Sequence, residues 1–290
     1  MACLILSAVP LSLALMLRDE GRAWQEDLYR EQLEVIANSL MLRELEREKT
    51  EPLTDLGLPL GELYPGGRKV RAYTAVQRYT PLGLRLLHAS AADADGNAYT
   101  VHHLLMRLPE LICRQASLVP LTVRGSVSGA ETLAKNGVLY ASSCGASFPE
   151  FKVDSFRNWG EGGFTSGSDM AKDGIPMRRM YFIRDRYNVK GNGTVTGTGI
   201  LVFQRTGIFQ DHSGFPDRVV IIAGEDLVIG EEVHFAKALI FCEGTLYIRN
   251  GASVNGAVFA NRVVIQGDTV NITKDTDVVR PFSTILFRRC

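Results

Sequence analysis

Two apolar columns at one fixed step constrain the fold of this chain more than any other feature. Leu201, Val220, Leu239 and Val258 follow one another at intervals of nineteen residues, and so do Ile208, Leu227, Leu246 and Ile265. Gly or Asn punctuates the runs between them, as at Gly207, Gly224, Gly244, Asn250, Asn255 and Gly267. Nineteen residues are too few for a helix pair. They suit one coil of a β-solenoid, in which short strands turn at Gly or Asn and stack on the coil below. Each coil adds about 4.8 Å along the axis, so roughly four coils between 191 and 280 build a stub about 20 Å tall, with the two columns as its core. A solenoid ends in open strand edges that recruit other chains unless covered. The charged segment 177–189 is expected to cover the lower edge, and 278–290, with Pro281, the upper.

The N-terminal segment has a different period. Ala2 to Leu17 carries no charged residue and stops at Arg18-Asp19-Glu20. Its length reaches the lower limit of a bilayer span, and Pro10 is placed to kink a helix there. The basic flank of a secretory signal does not precede it, which predicts a charged leader removed ahead of Met1. Helical spacing continues through Trp24, Leu28, Ile36 and Leu40, with Leu33, Leu42 and Leu45 beside them, until Pro52 ends the run. Such a helix is about 75 Å long, more than a compact domain needs. A membrane anchor with a short coiled-coil stalk is the plain structural alternative.

Between these parts the chain divides at its breakers. Residues 51–68, rich in Pro and Gly, form a linker, and 69–190 a β-rich middle region with Asp95-Gly96 as a hairpin turn and a long loop over 142–175. With the helix at 1–50, the solenoid at 191–280 and a C-terminal cap at 281–290, the fold class is α+β: a long N-terminal helix followed by a β-rich domain ending in a short β-solenoid.

Composition argues against several functions. Lys and Arg total 32 and so do Asp and Glu, so no net field draws the chain to nucleic acid. The five cysteines have no metal or redox spacing. Outside the cytoplasm Cys113 with Cys144 is the pair expected to form a disulfide; otherwise both are small buried thiols. His102 and His103 adjoin in a strand and point to opposite faces, so they cannot chelate one metal together. Cys144 lacks the signature of a nucleophile, and the glycine-rich 191–199 opens no helix and is no phosphate loop. Asp211, Glu225 and Asp268 are the carboxylates a saccharide-cleaving or saccharide-binding solenoid would use, and define the enzymatic alternative. The expectation is no catalytic, cofactor or metal site.

The order of parts resembles the type IV pilin-like family, most closely the minor-pilin-type subunits with a C-terminal β-solenoid. The likeness rests on the uncharged tip and continuous helix over the first fifty residues and on phrases such as "GTGILVF" and "NGAVFANRVVIQGDTVNI". It implies leader removal and N-terminal methylation, then transfer of the helix from the inner membrane to the core of a cell-surface filament. Met1, Leu4, Ile5, Val9, Leu13, Leu17, Trp24 and Leu28 would pack against copies of the chain or related pilin subunits. The family's usual glutamate near the start is replaced here by Ile5. Residues 218–273 alone also resemble the bactofilin repeat, which implies a membrane-anchored scaffold polymerising through solenoid edges.

Overall fold

A computed structural model describes residues 2–50, 58–63, 68–79, 84–106, 108–142, 153–157, 180–184, 186–189, 193–280 and 282–288; the side chains of 2–19, 48–50, 58–63, 77–79 and 282–288 and of a few single residues lie outside the description. The chain forms two compact units, one of Met1–Gln77, Leu87–His103 and Phe287–Cys290, the other of Arg78–Leu86 and Leu104–Leu286.

In the first unit, helix α1 (Ala2–Thr50) precedes strands β1 (Leu58–Leu63), β2 (Val70–Tyr79), β3 (Leu84–Asp93) and β4 (Ala98–Met106). β1 lies inside the expected linker and pairs antiparallel with β2. β3 and β4 form a hairpin around Gly96, whose φ of 89° is the left-handed geometry that Asp95-Gly96 signalled. Asp93 holds this turn: its carboxylate accepts from the backbone of Asp95 (3.0 Å) and Asn97 (2.8 Å) and from Asn97 Nδ2 (2.9 Å). The second half of α1 buries Tyr29, Leu33, Ala37, Met41 and Glu44 at near i, i+4 spacing. Arg68 stacks over the Tyr29 ring at 4.6 Å, and the Asp93 carboxylate lies near the Tyr29 hydroxyl. Burial first and Asp93 second hold the Tyr29 pKa above its usual range. Glu44 is 4 % exposed and survives burial because Arg43 (2.9 Å) and Arg47 (3.7 Å) pair with it.

The second unit is the β-solenoid. Its elements are α2 (Glu110–Leu118), β5 (Leu121–Val123), β6 (Val127–Ser128), α3 (Ala130–Lys135), β7 (Tyr140–Ser142), β8 (Met180–Ile183), β9 (Tyr187–Val189), β10 (Gly199–Phe203), β11 (Gly207–Phe209), β12 (Gly214–Ala223), β13 (Leu227–Ile229), β14 (His234–Arg249), β15 (Ala252–Gln266) and β16 (Val270–Lys274). All its rungs are parallel and fall on three faces. The first stacks β8, β10, β12, β14, β15, β5 and β7; the second stacks β9, β11, β13, β14, β15 and β6; the third runs from Thr194 through β12, β14 and β15 to β16. The solenoid has about six turns, more than the four expected.

Both extra turns come from outside 191–280. β8 and β9 are rungs of the lowest described turn rather than a separate cover. At the other end the upper coil is supplied by residues 120–142, which precede the rest of the solenoid in sequence. Leu121, Thr122 and Val123 continue the rung of Val258, Phe259 and Ala260, and Tyr140 stands over Leu121. Leu133 of α3 is fully buried in the solenoid core with Val138 behind it. The upper edge is therefore covered from the N-terminal side, and the expectation for 278–290 is corrected. Residues Thr276–Val279 form a 3-10 turn against β14, β15 and α2, and β17 (Phe282–Arg288) is the end strand of the sheet ordered β1-β2-β3-β4-β17. Arg218 fixes the 3-10 turn by donating to the carbonyls of Val278 and Arg280. Burial lowers its pKa to about 10, so it stays charged at neutral pH.

The core is apolar along the whole axis. Phe215 and Phe235 stack at 4.6 Å, and Phe209 meets both edge on at 5.3 and 5.1 Å. The predicted columns are displaced from the true register because the lower coils hold twenty residues. Leu201 pairs with Ile221, then Ile240 and Val258, which form one inward column; Val220 and Leu239 stand one position over, pointing outward yet fully buried. On the second face Leu227 and Leu246 are inward neighbours, Ile208 points outward beside Val228 and Tyr247, and Ile265 continues the column of Phe209, Ile229 and Ile248.

Candidate functional site

Candidate sites were expected on the solenoid corners, at the cysteines and along α1. The corner between the second and third faces is a polar ladder. His212 (φ 62°), Glu232 (φ 51°) and Gly251 (φ 72°) occupy the same left-handed position in successive turns. His212 Nδ1 meets Glu232 Oε2 at 2.8 Å, Asp211 accepts from the backbone of Glu231 at 2.7 Å, and Asn250 Oδ1 accepts from the backbone N–H of Asp268 and Thr269, at 3.1 Å each. These contacts satisfy turn backbone that the coil geometry would otherwise leave unpaired. Two non-glycine residues in the left-handed region cost about 1–2 kcal/mol each, and the ladder offsets that cost.

The three carboxylates named for saccharide chemistry are not gathered. Asp211 and Asp268 belong to this ladder on separate turns. Glu225 stands at the opposite corner, where Asp154, Gln204 and Glu243 line a shallow depression with it. Among the described residues no group of three or more His, Cys, Asp or Glu converges in a way that could hold a metal. Cys242 is fully buried, and burial pushes its thiol up to about 12. Cys113 is a free thiol aimed at the carbonyls of Leu108 (3.8 Å) and Val279 (3.9 Å). Cys144 lies outside the described residues. His102 turns away from His103 and meets His88 across the β3/β4 hairpin, Nδ1 to Nδ1, at 2.6 Å. Sequence spacing could not disclose this pair, because hairpin register decides it.

On α1 the structure separates two apolar stripes that the sequence merges. Leu33 and Leu40 belong to the buried stripe, whereas Trp24, Leu28, Val35 and Leu42 are exposed, at 77, 58, 62 and 64 %. Leu28, Val35 and Leu42 repeat every seven residues, and Leu28, Glu31, Gln32, Val35 and Ile36 line a shallow apolar groove. Met1, Leu4, Ile5, Val9, Leu13 and Leu17 lie outside the residues with described side chains. Among the described residues no helix is long and apolar enough to cross a membrane. Comparison of the chain with protein-family models, curated proteins and solved structures returned no match.

Proposed function

We propose that the chain is a structural, non-enzymatic subunit of a type IV pilin-like filament. It assembles through α1 with copies of itself or related subunits and displays its β body at the cell surface, after an inner-membrane stage. The observation that carries this reading is the division of labour on α1. One stripe, Tyr29 to Glu44, is spent on the chain's own fold, while Leu28, Val35 and Leu42 keep a seven-residue apolar repeat exposed. Exposing several large apolar side chains on one face gives up about 1.5–3 kcal/mol for each that a partner could bury, and marks the face as an interaction surface.

Deleting residues 1–23 together with Leu28→Ser, Val35→Ser and Leu42→Ser tests the proposal. The full chain is expected to assemble and the truncated chain to sediment as a monomer with unchanged β content. Filaments formed by the truncated chain would instead assign assembly to stacked solenoid ends, the scaffold mode. That mode would require residues 120–142 to leave the β15 edge they occupy.

A further inference from the structure

We propose that His88 and His102 form a two-imidazole site for a divalent first-row transition metal, Cu(II) foremost, with water completing the coordination. The two residues lie on adjacent strands of the β3/β4 hairpin. The contact of Ser90 Oγ with Thr100 Oγ1 at 2.9 Å, two residues further along each strand, shows that the same face carries both pairs. The rings meet edge to face, with centroids 4.6 Å apart and planes at 86°, and their Nδ1 atoms are 2.6 Å apart.

That contact fixes the chemistry of the pair. Two neutral imidazoles touch through Nδ1 only if one carries its proton there and the other presents a lone pair. Both in-plane directions then converge on the space between the strands. If the donor ring moves its proton from Nδ1 to Nε2 through water, two lone pairs point at that space with no change in net charge. A Cu(II) ion with bonds of about 2.0–2.1 Å and cis ligands at about 90° needs the nitrogens about 2.9 Å apart. The rings must therefore open by roughly 0.3 Å from their 2.6 Å contact, a shift within the reach of side-chain rotation.

The surroundings favour the ligand form. His88 and His102 are both only partly buried, so solvent reaches the pair. His103 sits on the opposite face of β4 and takes no part. Two imidazoles without a carboxylate or thiolate select metals by nitrogen preference, which places Cu(II) above Ni(II) and Zn(II).

The experiment is titration of the full chain with copper sulfate at pH 7.5, followed by calorimetry and electron paramagnetic resonance. One Cu(II) per chain with nitrogen hyperfine splitting is expected. His88→Gln and His102→Gln should each weaken binding at least about tenfold, whereas His103→Gln should leave it unchanged. Nitrogen-15 spectra of the unsubstituted chain give a readout that does not depend on variants folding. Zn(II) should shift the Nδ1 signals of His88 and His102 and spare those of His103. Absence of stoichiometric binding, binding indifferent to His88→Gln or His102→Gln, or Zn(II) shifts confined to other histidines would overturn the proposal.

Discussion

Leu121 lies beside Val258 in parallel register, so the upper coil of the solenoid is built by a segment that precedes all the coils beneath it in the chain. The N–H of Val258 donates to Pro120 O at 2.8 Å and that of Arg124 to Ala260 O at 3.0 Å, so the junction is a regular rung. A solenoid growing from residue 180 upward meets a ready-made lid rather than ending in a bare edge.

Leu121→Ala is expected to destabilise the solenoid by about 2–5 kcal/mol, because Leu121 is fully buried at this junction and truncation leaves a cavity. Tyr140→Ser, at the exposed end of the same face, should cost far less. Urea unfolding of the two variants checks the contrast, and equal losses would mean that the upper coil is not integral to the core.

Gly256→Ala should be among the most damaging small substitutions. Gly256 has φ 155°, and a Cβ there would lie 1.8 Å from the carbonyl oxygen of Ala238 on the coil below. Gly137→Ala, at φ 70° with no neighbour within 4 Å, should cost only the left-handed penalty of roughly 1–2 kcal/mol. Thermal unfolding of both proteins measures the difference.

Acid should weaken the first unit in two steps. Burial lowers the pKa of His88 and His103 below the ordinary 6.5, so between that value and their folded pKa the unfolded chain holds more protons than the folded one. Their contribution is whole above about pH 6.5 and is lost as pH falls through the folded values. Asp93 behaves similarly lower down: burial pulls its pKa up, but the hydrogen bonds from Asn97 and Asp95 prevail and hold it below 3.8. His103→Leu should flatten the upper step, since its Nδ1 is buried without a hydrogen-bond partner. Melting temperature against pH from 8 to 3 displays both steps.

Cys242 should resist alkylation in the folded protein. Its thiol is buried and its pKa stands at about 12, so almost no thiolate exists at pH 8. Iodoacetamide followed by peptide mass mapping should find Cys242 unmodified until denaturant is added.

The legibility of the fold in the sequence follows the regularity of its coils. The nineteen-residue step is real where β12 meets β14, as Val220 beside Leu239 shows. It fails below, because the pairing of Leu201 with Ile221 spans twenty residues, and above, because Gly256 opposite Ala238 shortens the next turn. The upper coil was illegible because a three-residue strand, Leu121–Val123, carries no period of its own. The two α1 stripes are indistinguishable in sequence for a related reason: Leu28 and Leu33 are equally apolar, and only the packing of the first unit decides which is buried. The His88–His102 contact depends on hairpin register, which Asp95-Gly96 locates without specifying the pairs along it.

The central claim concerns α1, and a density map of the native assembly tests it most directly. Copies of α1 are expected side by side at the filament axis, about 8–10 Å apart, with Leu28, Val35 and Leu42 between them and the β bodies outside. A map in which α1 touches no other copy, or in which solenoids join end to end along the fibre, would contradict it.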